Sequence, residues 1–433
     1  MAGGNFINQD KTLPGAYINV TAKKLTTVEK NENGIATVPL TLSWGKESTV
    51  LEITRDNCKE VLGLDVENVV PIREVLRLCN KVLVYRLNTG VAARKLHGTL
   101  TFIAACSGLK GNSITVVIQQ NIVTSSKWDI ITLFEGIQVD KQTIGAIGEF
   151  KPNKYITVEG TGSITASAGV VLEGGTDGTV TNADYTRYLA AIELYKFDAI
   201  GVATTDEQLK ATVANFAKRL NETEGKKIQC VLSNYPQADY EGVSSVNNGV
   251  QLPDRTLTAV ECVYFFTGAT AGAAENKSNT YQEYPTAIDV VPRYTTTELT
   301  EIVKNGEIVF SLNNGRVVIE KDINTLKTIG PTKNKDFKKN RIIRTLDGIC
   351  NDAKYIWDTK YIGKVDNNDN GRSLYTKSLI EMMENKQKIG AIEGFVVEDI
   401  VVSKGLDKDS VVVEIAVQPV DAMEKLYMRI EVQ

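Results

Sequence analysis

The chain has 433 residues, 42% of them hydrophobic and 24% charged, with a net charge of −4. That is enough apolar material for two to four packed domains and excludes a disordered polymer, while the slightly acidic balance excludes wholesale coating of nucleic acid through a global basic field. No apolar run approaches the roughly 18 residues of a bilayer span, and the polar opening MAGGNFINQDK lacks a signal-peptide core, so synthesis and assembly in a cytoplasm are expected.

Residues 1–20 read as an extended arm. The Leu13-Pro14 step disfavours helix, and Tyr17-Ile18-Asn19-Val20 follows with strand character. Residues 21–95 read as the first part of a core. WGKESTVLEITR is a strand region, Pro71 opens a short helix carrying Val75, Leu76, Leu78 and Cys79, and Lys81 to Arg86 is a strand.

From 96 to 179 short apolar segments (TLTFIAA, SITVVIQQ, DIITLF, KYITVE, GVVLEGG) alternate with Gly, Asn, Ser and Lys, the pattern of a small antiparallel sandwich or barrel. Its glycine-rich pieces are not phosphate loops. No G-x-x-x-x-G-K-[ST] occurs, and Gly160-Thr161-Gly162 lacks the third glycine and following helix of a dinucleotide fingerprint.

Residues 180–330 read as α/β. Asp184 is placed as the cap of a helix bearing Tyr185, Tyr188, Leu189 and Ile192, and FDAIGVA is a buried strand. Thr205 with Gln208 suggests a capping box for the stripe Leu209, Val213, Phe216, Ala217 and Leu220, and Ile228 to Leu232 is the next strand. Strand, helix, strand implies a parallel crossover and a layered sheet. The small residues Gly268, Ala271 and Gly272 suggest a helix packed closely on a neighbour, and Asn314-Gly315 marks a hairpin turn.

Residues 331–433 read as α+β. A helix is expected from about Lys335 with Ile343, Leu346, Cys350, Ala353 and Trp357 on one stripe. A second carries Tyr375, Leu379, Met382 and Met383 and stops at Gly390; strands then run to the end. In the final stretch Leu426, Met428, Ile430 and Val432 alternate with Tyr427, Arg429 and Glu431, the period of a half-buried strand. A strand needs an edge. Twenty extended residues span up to roughly 65 Å against a radius of gyration of about 22 Å, so such arms can reach a neighbouring copy. Two readings stay open from the residues alone: both ends pair with adjacent copies, or both pair within their own subunit.

Little in the chain points to chemistry. The six cysteines form no C-x-x-C pair and read as buried thiols, and the sole histidine, His97, reads as structural. Asp366 to Gly371 imitates the first half of a calcium loop, but position twelve is Lys377, so the stretch reads as an Asx-rich turn capping the next helix. The basic run Lys333, Lys335, Lys338, Lys339, Arg341 and Arg344 lacks interleaved aromatics and reads largely as a solvated helix face. No catalytic, cofactor or metal residues are assigned.

The run KKNRIIRTLDGICNDAKYIWDTKYIGKVDNNDNGRSL, the closing VVVEIAVQPVDAMEKLYMRIEV and the opening KTLPGAYINV together resemble contractile tail sheath proteins of Gram-positive myophages and phage-tail-like bacteriocins. The resemblance implies an α/β core likened to subtilisin in topology, an inserted β-sandwich (96–179), and a C-terminal α+β domain facing a tail tube. It implies no enzyme, since His97, the one histidine, lies outside the core and no Ser-His-Asp triad can be built there. It further implies terminal arms that enter the C-terminal sheets of neighbours, here Pro14, Gly15, Tyr17 and Ile18 and, at the other end, Leu426, Met428, Ile430 and Val432. Lys377, Lys386 and Lys388 become candidates for the tube contact. The expected partners are further copies in stacked helical rings, a tail tube protein, and baseplate and tail terminator proteins, with no direct nucleic acid and no membrane. The expected location is a virion tail or bacteriocin particle assembled in the host cytoplasm. Two alternatives remain beside it, a subtilisin-like-fold hydrolase and a monomeric β-rich glycan-binding module.

Overall fold

The computed structural model describes residues 34–432 and the backbone of Ala2–Gly4 and Gly15–Tyr17. These two short strands pair in parallel within a unit of their own, Met1–Glu32. Of the N-terminal arm positions, Pro14 and Ile18 lie outside the described residues.

The larger unit is built on a seven-stranded sheet in the order Glu307–Ile308, Val243–Val246, Gln229–Ser233, Ala199–Gly201, Ile35–Leu40, Lys81–Arg86, Val50–Ile53. All neighbours are parallel except the last pair. Parallel strands are covered on both faces, which is why Ile35–Leu40 is buried at every position. Alternate side chains serve opposite layers. Leu83, Tyr85, Ile200 and Leu232 pack with Tyr188 and Ile192 of helix Asn182–Ile192 and with Val213 and Leu220 of helix Glu207–Glu222. On the other face Val82, Val84 and Val38 meet Ile72 and Val75 of helix Val70–Val75, while Val231 and Val246 meet Val263 and Phe266 of helix Ala259–Gly272.

Two expected caps move by a few residues. Thr181, not Asp184, is the N-cap of the first helix, and Asp184 reaches back to accept the Thr181 backbone N–H at 2.7 Å. Asp206, not Thr205, caps the second, accepting the N–H groups of Gln208 and Leu209 at 2.8 and 3.1 Å. A carboxylate one residue nearer the helix is the stronger acceptor for those orphan donors. The close approach expected of the small residues is present: a Cβ on Gly268 would collide with the Val75 carbonyl, and one on Gly272 with that of Leu78. The hairpin Phe310–Asn313/Arg316–Ile319 turns at Asn314 and Gly315, both at positive φ.

Between Lys81–Arg86 and the helix at Asn182 the chain forms an antiparallel sandwich. One sheet runs Ile137–Ile144, Trp128–Phe134, Ile114–Gln120, Ser167–Val171, and the other Ile156–Glu159, Leu100–Ala104, Arg94–His97. Phe102, Ile114, Val116, Ile118 and Ile130 fill the space between them. The sandwich is joined firmly to the core. The buried Arg86 donates from Nη1 to the carbonyls of Gly45 (2.6 Å) and Ser107 (3.0 Å), and Asn88 bridges Leu42 and Asp177. Trp44 stacks on Tyr155 at 6.2 Å beside Phe134.

The C-terminal body holds helices Asn340–Lys360 and Asp369–Lys388, the hairpin Ile400–Lys404/Val411–Ile415 and the pair Ile392–Glu393/Gln418–Pro419. The first helix starts later than expected, after a 3-10 turn at Lys335–Lys338. Its buried stripe is Ile342, Ile349 and Ile356 with Ile343; Leu346, Ala353 and Trp357 are half-buried, and Cys350 is exposed. The helix touches the core at one end and its partner helix at the other, so one narrow stripe does not describe it. The second helix buries Tyr375, Leu379, Met382 and Met383 as expected, and Asn368 caps it by accepting the Gly371 N–H at 2.9 Å.

Because the Gly268 position abuts backbone rather than a movable side chain, Gly268→Ala is expected to cost about 1–3 kcal/mol of stability through overpacking, read as a lowered thermal midpoint.

Candidate assembly site

The last strand expected from the sequence does not form within the described residues. Leu426, Met428, Ile430 and Val432 are 84, 71, 77 and 94% exposed, and Tyr427 is 88% exposed. No backbone hydrogen bond ties 425–432 to the rest of the described residues. The alternation is intact, but no strand edge among the described residues receives it, and both faces are exposed. Pairing of this end within its own chain is therefore not observed among the described residues.

The chain is fixed just before that point. The Val420 N–H donates to the Ala391 carbonyl at 2.9 Å. Glu424, whose side chain is 12% exposed, binds Lys339 Nζ and accepts the Thr280 hydroxyl at 2.9 Å, and Asp421 lies 3.3 Å from the same ammonium. From Lys425 onward the residues stand clear of the body.

Nearby lies a surface with the opposite need. The hairpin Ile400–Lys404/Val411–Ile415 is two strands wide, so its outer edges carry no further strand among the described residues. Val411, Val413, Ile415 and Val417 form one apolar row, all only half-covered, and Val413, Ile415 and Val417 lean on the cluster of Leu379, Met383 and Ile400. An open edge beside a half-covered apolar row is a template for an added strand.

The three lysines offered as tube contacts divide. Lys377 and Lys388 are exposed on helix Asp369–Lys388. Lys386 is not: it is 5% exposed and its ammonium sits 2.6 Å from Glu275 and 2.5 Å from Asp352, tying the helix to the loop that follows Ala259–Gly272. Helical phase decides this, because Lys386 follows Met382 and Met383 by four and three residues and so shares their inward face. The basic run is likewise less solvated than expected. Arg344 is buried against Asp322, Lys333 pairs with Glu241 at 2.6 Å, and Lys339 is occupied by Glu424 and Asp421.

Chemically reactive groupings are scarce. His97 Nε2 lies 3.2 Å from the Thr165 carbonyl on the sandwich. Cys58, Cys79, Cys230 and Cys262 are buried as expected, whereas Cys106 is half-buried and Cys350 exposed, both unpaired. Burial pushes the Cys58 and Cys79 thiols up to about 11 and about 12, which keeps them as inert thiols.

One titratable group does sit at the joint between core and C-terminal body. Asp347, on helix Asn340–Lys360, accepts Gln229 Nε2 at 2.7 Å, and desolvation pushes its carboxyl from 3.8 up to about 7 despite that hydrogen bond and the nearby Lys227. Folding thus favours the protonated form, so the stability linked to this proton is complete below about pH 4 and is lost as pH rises towards 7. Asp347→Asn is expected to match the parent near pH 4 and to exceed it at pH 8 by on the order of 1 kcal/mol or more, measured by denaturant unfolding at the two pH values.

Comparison with known proteins accounts for this architecture. Family models match consecutive parts of the chain: Tail sheath protein Gp18 domain III N-terminal region at 33–87, Phage tail sheath protein beta-sandwich domain at 88–177, Phage tail sheath protein central domain at 178–325, and Phage tail sheath C-terminal domain at 332–433. The Phage-like element PBSX protein XkdK of Bacillus subtilis (strain 168) is 36% identical over 100% of both chains. The solved sheath tail protein DSY3957 of Desulfitobacterium hafniense is 43% identical, with 96% of this chain and 99% of that one covered and a TM-score of 0.84. The sheath tail protein Lin1278 of Listeria innocua is 36% identical over 92% and 94%, with a TM-score of 0.83. At 12% identity the helical sheath of the anti-feeding prophage in its contracted state still shares the fold, over 97% and 99% at a TM-score of 0.58. With four family models matched in sequence order from residue 33 to 433 and two solved sheath proteins superposing on more than nine-tenths of the chain, the chain belongs to the phage tail sheath protein family, a family of structural proteins rather than enzymes.

Proposed function

We propose that this sheath subunit polymerises around a tail tube by lending its terminal arms to neighbouring copies, and that the resulting mesh contracts to drive the tube through a bacterial envelope. The observation that carries this reading is the pairing of two unmet needs on one molecule. Among the described residues an alternating segment, Leu426 to Val432, has no strand partner, and the hairpin Ile400–Lys404/Val411–Ile415 has edges without a further strand and a half-covered apolar row.

The energetics favour exchange. Burying four side chains such as Leu426, Met428, Ile430 and Val432 is worth about 1.5–3 kcal/mol each before ordering costs, and each backbone hydrogen bond adds about 1 kcal/mol. Residues 425–432 reach about 26 Å when extended, enough to cross to an adjacent copy while the bodies remain free to turn. Gly15 and Tyr17, with Pro14 and Ile18, are proposed to play the matching part at the other end. Contacts between bodies then rearrange from an extended lattice to a contracted one of lower free energy, and no nucleotide is consumed.

Within this reading Lys377 and Lys388 are the candidates for contact with a tail tube protein, being exposed on the same helix, and Lys386 serves the interior of the subunit. Baseplate and terminator proteins would close the two ends of the stack, in a virion tail or bacteriocin particle assembled in the host cytoplasm.

Two truncations test the proposal by negative-stain microscopy and sedimentation. Chains lacking 1–20 or lacking 425–433 are expected to fold, with an unchanged thermal midpoint, yet to stay as soluble subunits while the full chain forms tubes. Tubes formed by both truncated chains as readily as by the parent would show that the arms do not link subunits.

A further inference from the structure

The root of the C-terminal arm is held in an unusual way. Between the last backbone anchor, Val420 on Ala391, and the exposed Lys425, the hydrogen bonds and ion pairs to the body among the described residues come from the side chains of Asp421 and Glu424. Their cation, Lys339, stands at the N-terminus of helix Asn340–Lys360, and the hydroxyl partner, Thr280, is itself fixed by the Asp322 N–H at 3.0 Å and Ser278 Oγ at 3.0 Å. Lys321 completes the group; desolvation, then repulsion from Lys339, pulls its ammonium below the ordinary lysine value, with Lys425 adding to the repulsion and Glu424 and Asp421 opposing it. Lys339 is therefore the ammonium that both carboxylates share in direct ion pairs. Met423, beside Glu424, is fully exposed.

We infer that Glu424, Asp421, Lys339 and Thr280 form a releasable catch at the arm root, closed in the free subunit and opened when a neighbouring copy that holds the arm moves away. An ionic catch suits that task better than an apolar one. Its groups can return to water when it opens, so release exposes no adhesive surface. Its opening has a defined yield of length. The fixed point retreats from Glu424 to Val420, freeing four residues, or about 13 Å of extended chain, while the strand pair Ile392–Glu393/Gln418–Pro419 holds the root. The arm then pays out slack without leaving the sheet it has joined.

This inference rests on the arm-exchange reading, and the experiment separates the two. Spin labels are placed on Met423→Cys and Lys335→Cys, both exposed, in a Cys350→Ser background, and the labelled full-length chain is diluted into unlabelled chain. The label-to-label distance is measured in free subunits, in extended sheaths and in contracted sheaths. A single short distance is expected in the free subunit, with a longer one, by about 5–13 Å, in one of the two lattices. Glu424→Gln is expected to show the long distance in the free subunit already, at an unchanged thermal midpoint. One unchanging distance in all three states, or a Glu424→Gln distribution as narrow as the parent's, would overturn the catch and leave arm exchange standing. Arm exchange itself fails only if the truncated chains form tubes.

Discussion

A parallel sheet has no solvent face, and the rest of this molecule follows from meeting that condition. Seven strands, six joined in parallel, must be covered on both sides, and the helices at 182–192 and 207–222 cover one face while those at 70–75 and 259–272 cover the other. The covering helix 259–272 comes so close to its neighbour that only glycine fits at 268 and 272. Once both faces are closed, further chain can be added only at the ends of strands. The sandwich leaves from the end of Lys81–Arg86 and returns to the helix at Asn182, and the C-terminal body is docked through the loop that follows the glycine-bearing helix.

The joints between these bodies contain buried charged side chains, each held by several partners at once, although Arg86 Nε and Arg344 Nε and Nη1 meet none among the described residues. Arg86 sits in the sandwich joint with carbonyls of Gly45 and Ser107, while Lys386 and Arg344 meet Glu275, Asp352 and Asp322 in the C-terminal joint. Buried charges of this kind are strongly destabilising when one partner is lost, and they demand one orientation. Within one subunit the bodies are accordingly bound in a definite arrangement. Packing against the body stops after Glu424, which is where the proposed arm exchange would need its compliance.

How legible was this from the residues? Local signals were read well. The strand Lys81–Arg86, the crossover through Leu209, Val213, Phe216 and Leu220, the Asn314-Gly315 turn and the Asx-rich cap within Asp366 to Gly371 each depend on a period or a turn chemistry contained in a few neighbouring residues. The tail sheath resemblance, carried by the motifs near both ends, agreed with the family matches along the chain. Two sorts of error have a direct physical reason. Caps were misplaced by one to three residues because Thr181 and Asp206 compete with adjacent acceptors. The side chains Lys386 and Arg344 were read as solvent-facing because a charge on a helix says nothing about what a distant segment brings to it.

Period, turn and family are therefore what the amino-acid order determined by itself, since each is encoded within a turn or two of chain or in a contiguous motif. The tertiary structure alone decided which charges are buried and where the body ends. Glu275, Asp322 and Thr280 reach Lys386, Arg344 and Glu424 from elements far away in the chain, and an alternating segment becomes a strand only where an edge is present to receive it.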